Sequence, residues 1–247
     1  MIGPVENSLL TGIQERGCIH LALIDPEKFP NNLGETVSDL EDHGTCAIMV
    51  GGSTLRSSVQ LDRAVKIIRE SCNLPTILFP NGPMGISRFA HAIFFMSLLN
   101  SSSTEYLIES QVAGASTVRR FNLEPIPLGY MIVGQSETAV RTVGRAKPVP
   151  FSKINLATDY ALAAQYLGMR FVYLEAGSGA ERMVDPRMVS AVSQKVDIPL
   201  IVGGGVRTPE QAATLARSGA SAIVTGTVLE QEGPGRVKEI LAALKRS

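Results

Sequence analysis

Residues Val202–Glu210 read VGGGVRTPE, and residues Ala222–Thr227 read AIVTGT. Each is a short apolar, β-rich run that ends in a glycine turn. In the first, Thr208 is a good helix N-cap, Pro209 suits the first helical position, and Glu210 puts a carboxylate in the first turn. That helix is expected to run to Arg217, with Gly219 as its stop. Strand, turn, helix and strand again is the unit of a parallel α/β fold. Glycines at two matched strand ends let backbone N–H groups approach an anion, and helix N-termini add partial positive charge. Barrel enzymes frequently hold phosphate after strands seven and eight. Taken singly, such turns also fit tight connections with no ligand.

Similar runs recur along the chain. Strands are expected at Ile19–Ile24, Ala47–Val50, Thr76–Phe79, Ala92–Leu98, Pro127–Val133, Phe171–Glu175, Pro199–Val202 and Ala222–Thr225. Their near-continuous apolar character fits strands buried on both faces. Helical patterns lie between most of them. Val59–Arg69 is read with Val59, Ala64, Val65 and Ile68 along one side, His43-Gly44 as a helix end, and Asp185-Pro186 as a helix start. Pro80–His91 is too short and too rich in Pro and Gly for a helix with two loops. In Gly134–Lys153, Pro148 and Pro150 are expected to break any helix. No linker divides the 247 residues, a length close to the roughly 250 of one (β/α)8 barrel. The expectation is one domain, 1–247: a modified (β/α)8 TIM barrel whose third helix is missing or replaced by an extended segment. An open doubly wound sheet is the alternative, but so many strands in this length favour closure.

Composition narrows the function classes. Lys and Arg number 23, as do Asp and Glu, so no net charge draws the molecule to nucleic acid or anionic membrane. Cys18, Cys46 and Cys72 form no CxxC pair, which argues against a zinc clip or a disulfide framework and for a reduced, cytoplasmic setting. Glu6, Glu15 and Arg16 precede any long apolar run, unlike a secretory leader. The apolar stretch Ala92–Leu99 is far short of the ~20 residues of a membrane span.

Two strand ends carry candidate chemistry. In Tyr173-Leu174-Glu175-Ala176-Gly177-Ser178-Gly179, alternation puts Tyr173 and Glu175 on one face, aimed at the barrel mouth. Glu175 suits hydrogen bonding to a polyol or accepting a hydroxyl proton, and Ser178 with the glycines can extend the phosphate cradle. A salt-bridged structural Glu is the plainer reading. Strand one ends at Asp25 and strand two is followed by Ser53. A carboxylate and a hydroxyl from adjacent strand tops are suitable ligands for Mg²⁺, although Asp-Pro also commonly just opens a loop. His20, His43 and His91 lack metal spacing, and His20 reads as a hydrogen-bonded core residue. His91–Leu99 reads as core strand before ligand tunnel.

Together, HLALIDPEK (20–28), VGGST (50–54), FMSLLNS (95–101), YLEAGSGA (173–180), IVGGGVRTPE (201–210) and VTGT (224–227) resemble the geranylgeranylglyceryl phosphate synthase family and its heptaprenylglyceryl phosphate synthase relatives. The resemblance implies a barrel whose third helix is replaced by a strand-like segment. It also implies transfer of a polyprenyl group, geranylgeranyl by expectation, from its diphosphate to sn-glycerol 1-phosphate, the first ether bond of archaeal-type lipids. On that basis Asp25 and Ser53 would hold Mg²⁺. Tyr173, Leu174, Glu175, Ala176, Gly177, Ser178, Gly179, Gly204, Gly205, Gly226 and Thr227 would hold glycerol 1-phosphate. Glu175 would align the attacking hydroxyl and take its proton. Tyr106, expected to begin the helix after strand four, would close the far end of the prenyl groove, or else be an ordinary core contact. A homo-oligomer and peripheral membrane contact are implied in the same way. Some members carry Lys two residues before the Asp. Here that residue is Leu23, and the cation would come from elsewhere, Lys28 or Arg207. Two other readings fit the glycine turns: a flavin-dependent barrel oxidoreductase, and a phosphate-binding barrel without catalysis.

Overall fold

The computed structural model describes residues 2–28, 32–52, 55, 57–135 and 139–245. Eight parallel strands close in sequence order into a barrel. In chain order the elements are α1 (Pro4–Arg16), β1 (Ile19–Ile24), α2 (Leu33–His43), β2 (Ala47–Val50), α3 (Ser58–Ser71), β3 (Thr76–Leu78), β4 (Ala92–Leu98), α4 (Ser110–Arg120), β5 (Glu124–Ile132), α5 (Ala139–Val143), α6 (Ile154–Tyr166), β6 (Phe171–Glu175), α7 (Pro186–Ser193), β7 (Leu200–Gly203), α8 (Pro209–Arg217), β8 (Ala222–Thr225), α9 (Thr227–Glu232) and α10 (Pro234–Leu244). Between β3 and β4 the chain makes a single 3-10 turn, Pro83–Gly85.

Strand alternation sorts the core into two layers. Leu21, Met49, Ile77, Phe94, Leu128, Phe171, Tyr173 and Val224 fill the barrel interior. Their neighbours, such as Ala22, Ile48, Leu78, Val172 and Ile223, pack outward with Val37 and Leu40 of α2, Leu61 and Val65 of α3, and Leu215 of α8. Helix starts follow the local chemistry. Thr208 and Gln211 form a reciprocal capping box on α8, and the Asp185 side chain accepts from Arg187 N at the start of α7. Gly44 ends α2 in the left-handed region, φ +104°.

The N-terminal end of the barrel is sealed by α1, which places Val5 and Leu9 in the interior cluster. Gly3, the residue before this helix, has no side chain to cap it. Glu124 of β5 does so from a distance, accepting from Val5 N and Glu6 N at 2.8 Å each. Glu6, 1% exposed, is held by Arg170 through two bonds of 2.5 and 2.7 Å.

Some expectations need correction. Val59 is 76% exposed; the buried stripe of α3 is Leu61, Ala64, Val65 and Ile68. The segment 134–153 contains α5, because Pro148 and Pro150 lie C-terminal to this helix and do not interrupt it. β5 starts at Glu124 rather than Pro127, since a strand prolyl carbonyl still accepts from a neighbour and Pro125 pairs in register with Ile93. β3 ends one residue early and β7 is shifted by one.

Candidate active site

The C-terminal strand ends surround a partly polar cavity of about 800 Å³, counting the part open to solvent. Asp25, Tyr173, Glu175, Ser178, Gly179, Gly204, Gly205, Gly226 and Thr227 all line it. The turn after β7 needs its glycines: Gly204 and Gly205 have φ of +80° and +70°. A Cβ on Gly204 would strike the Glu175 carboxylate, and one on Gly205 would lie 2.5 Å from the Arg182 carbonyl oxygen. After β8, Gly226 leads into the short helix α9. The Thr227 hydroxyl lies 3.2 Å from Ser178 Oγ and accepts from Gly179 N at 3.1 Å. The loops after β6, β7 and β8 thus form one cradle, with a short extra helix starting at it, as in phosphate-binding barrels. Arg207 lines the same cavity and donates to the carbonyls of Gly179 and Ala180 at 3.2 and 3.3 Å.

Glu175 stands at the inner wall, 6% exposed. It accepts from Tyr173 Oη at 2.5 Å and from Gly177 N at 2.6 Å. Burial raises its pKa, and these two bonds only partly offset that. Among the described residues no cation pairs with it. A buried carboxylate with a raised pKa beside an anion cradle has the properties of a general base. The Tyr173 phenol is pushed well above its ordinary pKa by burial and by Glu175, so it stays a donor.

Asp25, 7% exposed, lies on the same wall at the end of β1. It accepts from Glu27 N at 3.0 Å and pairs with Lys28 Nζ at 3.3 Å. Gly52 comes so close that a Cβ there would sit 2.7 Å from the carboxylate. Ser53 lies outside the described residues. Among the described residues no three His, Cys, Asp or Glu side chains converge as metal ligands. One carboxylate beside a phosphate cradle is instead the donor set Mg²⁺ uses when substrate oxygens and water complete its shell. Leu23 faces the mouth next to Gly226, whose Cβ would lie 3.4 Å away. Lys28 and Arg207 both reach this cavity.

A second cavity, about 860 Å³ and largely apolar, opens beside the first. Its walls include Phe79, Ile86, Phe94, Met96, Val118 and Tyr106, and it lies along the β3–β4 connection with its single 3-10 turn. β4 is therefore both core strand and cavity wall. Tyr106 is half-buried in a π-helical turn, Glu105–Glu109, ahead of α4. Gly52, Phe79 and Tyr130 line both cavities.

Not every expected residue faces the site. Leu174 and Ala176 are buried in the outer layer, so only their backbone can serve a ligand there. Gly177 acts through its N–H on Glu175. His20 is buried between Thr45 and Thr225, at 3.0 and 2.8 Å. Burial lowers its pKa to about 3, which makes it a neutral structural group. Phe79, Tyr130, Gly52 and Glu230 line the mouth without having been singled out by sequence. Inward parity on β5 was the available signal for Tyr130; nothing local marked Glu230.

A closed parallel barrel with a three-loop glycine cradle, a buried carboxylate and an adjoining apolar cavity defines a TIM barrel whose mouth suits an amphiphilic substrate. The chain belongs to the PcrB family, whose model matches residues 11–244. It is 50% identical over 247 residues to geranylgeranylglyceryl phosphate synthase of Thermococcus kodakarensis, covering 99% of this chain and 97% of that protein. The synthase of Methanopyrus kandleri is 50% identical over 234 residues, covering 94% and 97%. The crystal structure of (S)-3-O-geranylgeranylglyceryl phosphate synthase from Thermoplasma acidophilum, in complex with substrate sn-glycerol-1-phosphate, matches with a TM-score of 0.93 at 41% identity over 100% of both chains. Tryptophan synthase of Mycobacterium tuberculosis shares only the fold, with a TM-score of 0.64 at 14% identity.

Proposed function

We propose that this protein joins sn-glycerol 1-phosphate to geranylgeranyl diphosphate through an ether bond and releases diphosphate. The observation that carries this reading is the pairing of a polar, glycine-lined cradle with an apolar cavity across a shared seam, with a buried carboxylate on the polar side. The kinship with geranylgeranylglyceryl phosphate synthases supports it. The phosphate of glycerol phosphate lies against Gly204, Gly205, Gly226 and Thr227, with Ser178 and Gly179 closing over it. Glu175, anchored by Tyr173 and Gly177, orients the glycerol C3 hydroxyl and takes its proton as the oxygen attacks the allylic carbon. The prenyl chain runs into the apolar cavity, where the family's third helix gives way to the β3–β4 connection, and Tyr106 limits its length.

Asp25, with Ser53, would hold Mg²⁺ through one or two protein oxygens; when bound, the ion supplies charge neutralisation for the departing diphosphate. Lys28, which pairs with Asp25, and Arg207 would supply the positive charge that Leu23 does not. No described helix is long and apolar enough to cross a membrane. A cytoplasmic homo-oligomer touching the membrane surface to collect its prenyl substrate fits this reading.

The test is diphosphate release from the purified protein given sn-glycerol 1-phosphate, geranylgeranyl diphosphate and magnesium. Turnover with an ether-linked product is expected, and a colourless preparation. No product, or a yellow protein carrying flavin, would reject the reading.

A further inference from the structure

Tyr130 has no part in the mechanism proposed for Glu175 and Asp25. It points into the barrel from β5 and is 4% exposed. Its ring packs edge-on against Phe79, centroids 5.2 Å apart at 87°, and tilted against Tyr173 at 5.1 Å. Among the described residues its hydroxyl has no hydrogen-bond partner, whereas the Tyr173 hydroxyl is committed to Glu175. The hydroxyl is not one of the sealed, unpartnered side-chain atoms among the described residues; it opens on the cavities whose walls Tyr130 shares, where a ligand can meet it. Phenylalanine would fill the same space, so what the hydroxyl adds is a hydrogen-bond donor at the cavity wall.

Its position says which ligand. Among the described residues Gly52, Phe79 and Tyr130 border both cavities, and of these only Tyr130 carries a side-chain polar group. On the proposed reaction, this seam is where the prenyl chain ends and the diphosphate begins. We infer that Tyr130 is a catalytic residue whose phenol donates a hydrogen bond to the diphosphate oxygen bonded to the allylic carbon. In the reaction the carbon–oxygen bond breaks and its electron pair stays on that oxygen. The glycerol C3 oxygen forms the new bond to carbon and its proton passes to Glu175. Charge grows on the leaving oxygen, so a donor aimed there stabilises the transition state more than the ground state. Burial and the charge of Glu175 hold the Tyr130 phenol well above its ordinary pKa, so it keeps its proton and acts as a donor throughout.

The inference rests on the proposed reaction but fails separately from it. The experiment compares the parent with Tyr130→Phe, which keeps the ring and removes only the hydroxyl. Three quantities are read: kcat with both substrates and magnesium, glycerol 1-phosphate affinity by calorimetry, and the affinity of inorganic diphosphate with magnesium. We expect kcat to fall about 100-fold, as for loss of one charge-stabilising donor. Diphosphate affinity should fall about tenfold, as for loss of a hydrogen bond to a charged group, and glycerol 1-phosphate affinity should not change. Tm should stay level, because the hydroxyl has no partner to lose among the described residues. Turnover within twofold of the parent overturns the inference. So does a loss confined to glycerol 1-phosphate affinity, or a fall in Tm, which would make the hydroxyl part of the fold. A parent without turnover instead removes the proposed function, and the diphosphate comparison still decides whether Tyr130 meets that anion.

Discussion

Two glutamates are buried at opposite ends of this barrel, and their surroundings differ. Glu6, at the N-terminal end, is 1% exposed and gripped by Arg170 in a two-bond ion pair. Glu175, at the C-terminal end, is 6% exposed and accepts two hydrogen bonds but faces no cation among the described residues. The first has its charge matched, so it holds α1 against the barrel floor and does nothing else. The second keeps a charge that burial disfavours, which raises its pKa and readies it to take a proton. Burial alone therefore does not mark a functional carboxylate; burial without a counter-charge, beside a cavity, does.

The largest expected effect is at the mouth. Glu175→Gln fills the space but cannot take a proton; its oxygen can still accept from Gly177 N, while its amide nitrogen only donates, so the Tyr173 hydroxyl must turn to accept. Turnover should fall by about 10² to 10⁴, the usual value of a general base, with discrimination between glycerol phosphate isomers weakened. The sign for stability is opposite. A carboxylate whose folded pKa is raised is disfavoured in the fold once pH rises above its unfolded value, so the amide should leave Tm unchanged or higher at neutral pH. Steady-state assays and thermal melts read both; unchanged rate and stereopreference would make Glu175 structural.

At the floor the pattern should invert. Arg170→Met strands Glu6 and should cost about 3 kcal/mol, the low end for breaking a buried pair because the guanidinium is partly exposed. Activity per folded molecule should hold. Denaturant titration measures the loss, and a variant as stable as the parent would deny the floor its assigned role.

Gly226→Val sharpens the contrast within the mouth. A branched side chain would crowd both the anion and Leu23, which a Cβ would already meet at 3.4 Å. Glycerol 1-phosphate affinity should drop about tenfold or more, equivalent to ~1.4 kcal/mol. Calorimetry on the folded variant reads it, and unchanged affinity would move the phosphate away from β8. The smallest effect is expected in the apolar cavity. Tyr106→Ala should shift preference from C20 toward C35 diphosphates, each further buried CH₂ being worth ~0.8 kcal/mol. A parent-like preference in competition would place the stop elsewhere, for example at Phe94, Phe95 or Met96.

The barrel was legible because strands buried on both faces announce themselves: β1, β2, β4, β6 and β8 begin and end where their apolar runs do. The glycine turns of the mouth were legible because glycine best tolerates positive φ together with a close approach, as at Gly204. The hidden features depend on distant partners. Nothing near Glu6 in sequence announces Arg170, and the first turn of α1 is capped by Glu124. Prolines at 125 and 127 disguised the start of β5, and Val59 is an apolar residue at a solvent-facing helix start. Tyr130 and Phe79 owe their importance to the meeting of two cavities, which no local pattern encodes.

The most direct test of the contrast between the two glutamates is the pH dependence of kcat/KM for the parent beside Glu175→Gln. This parameter reports groups of the free enzyme. The substrate's own phosphate titrates in both proteins, so the difference between the two profiles isolates Glu175. The parent should lose activity as pH falls, along a limb centred above the ordinary carboxylate range, and the variant's residual activity should lack that limb. Superimposable profiles, or a limb at an ordinary carboxylate pKa, would contradict the account.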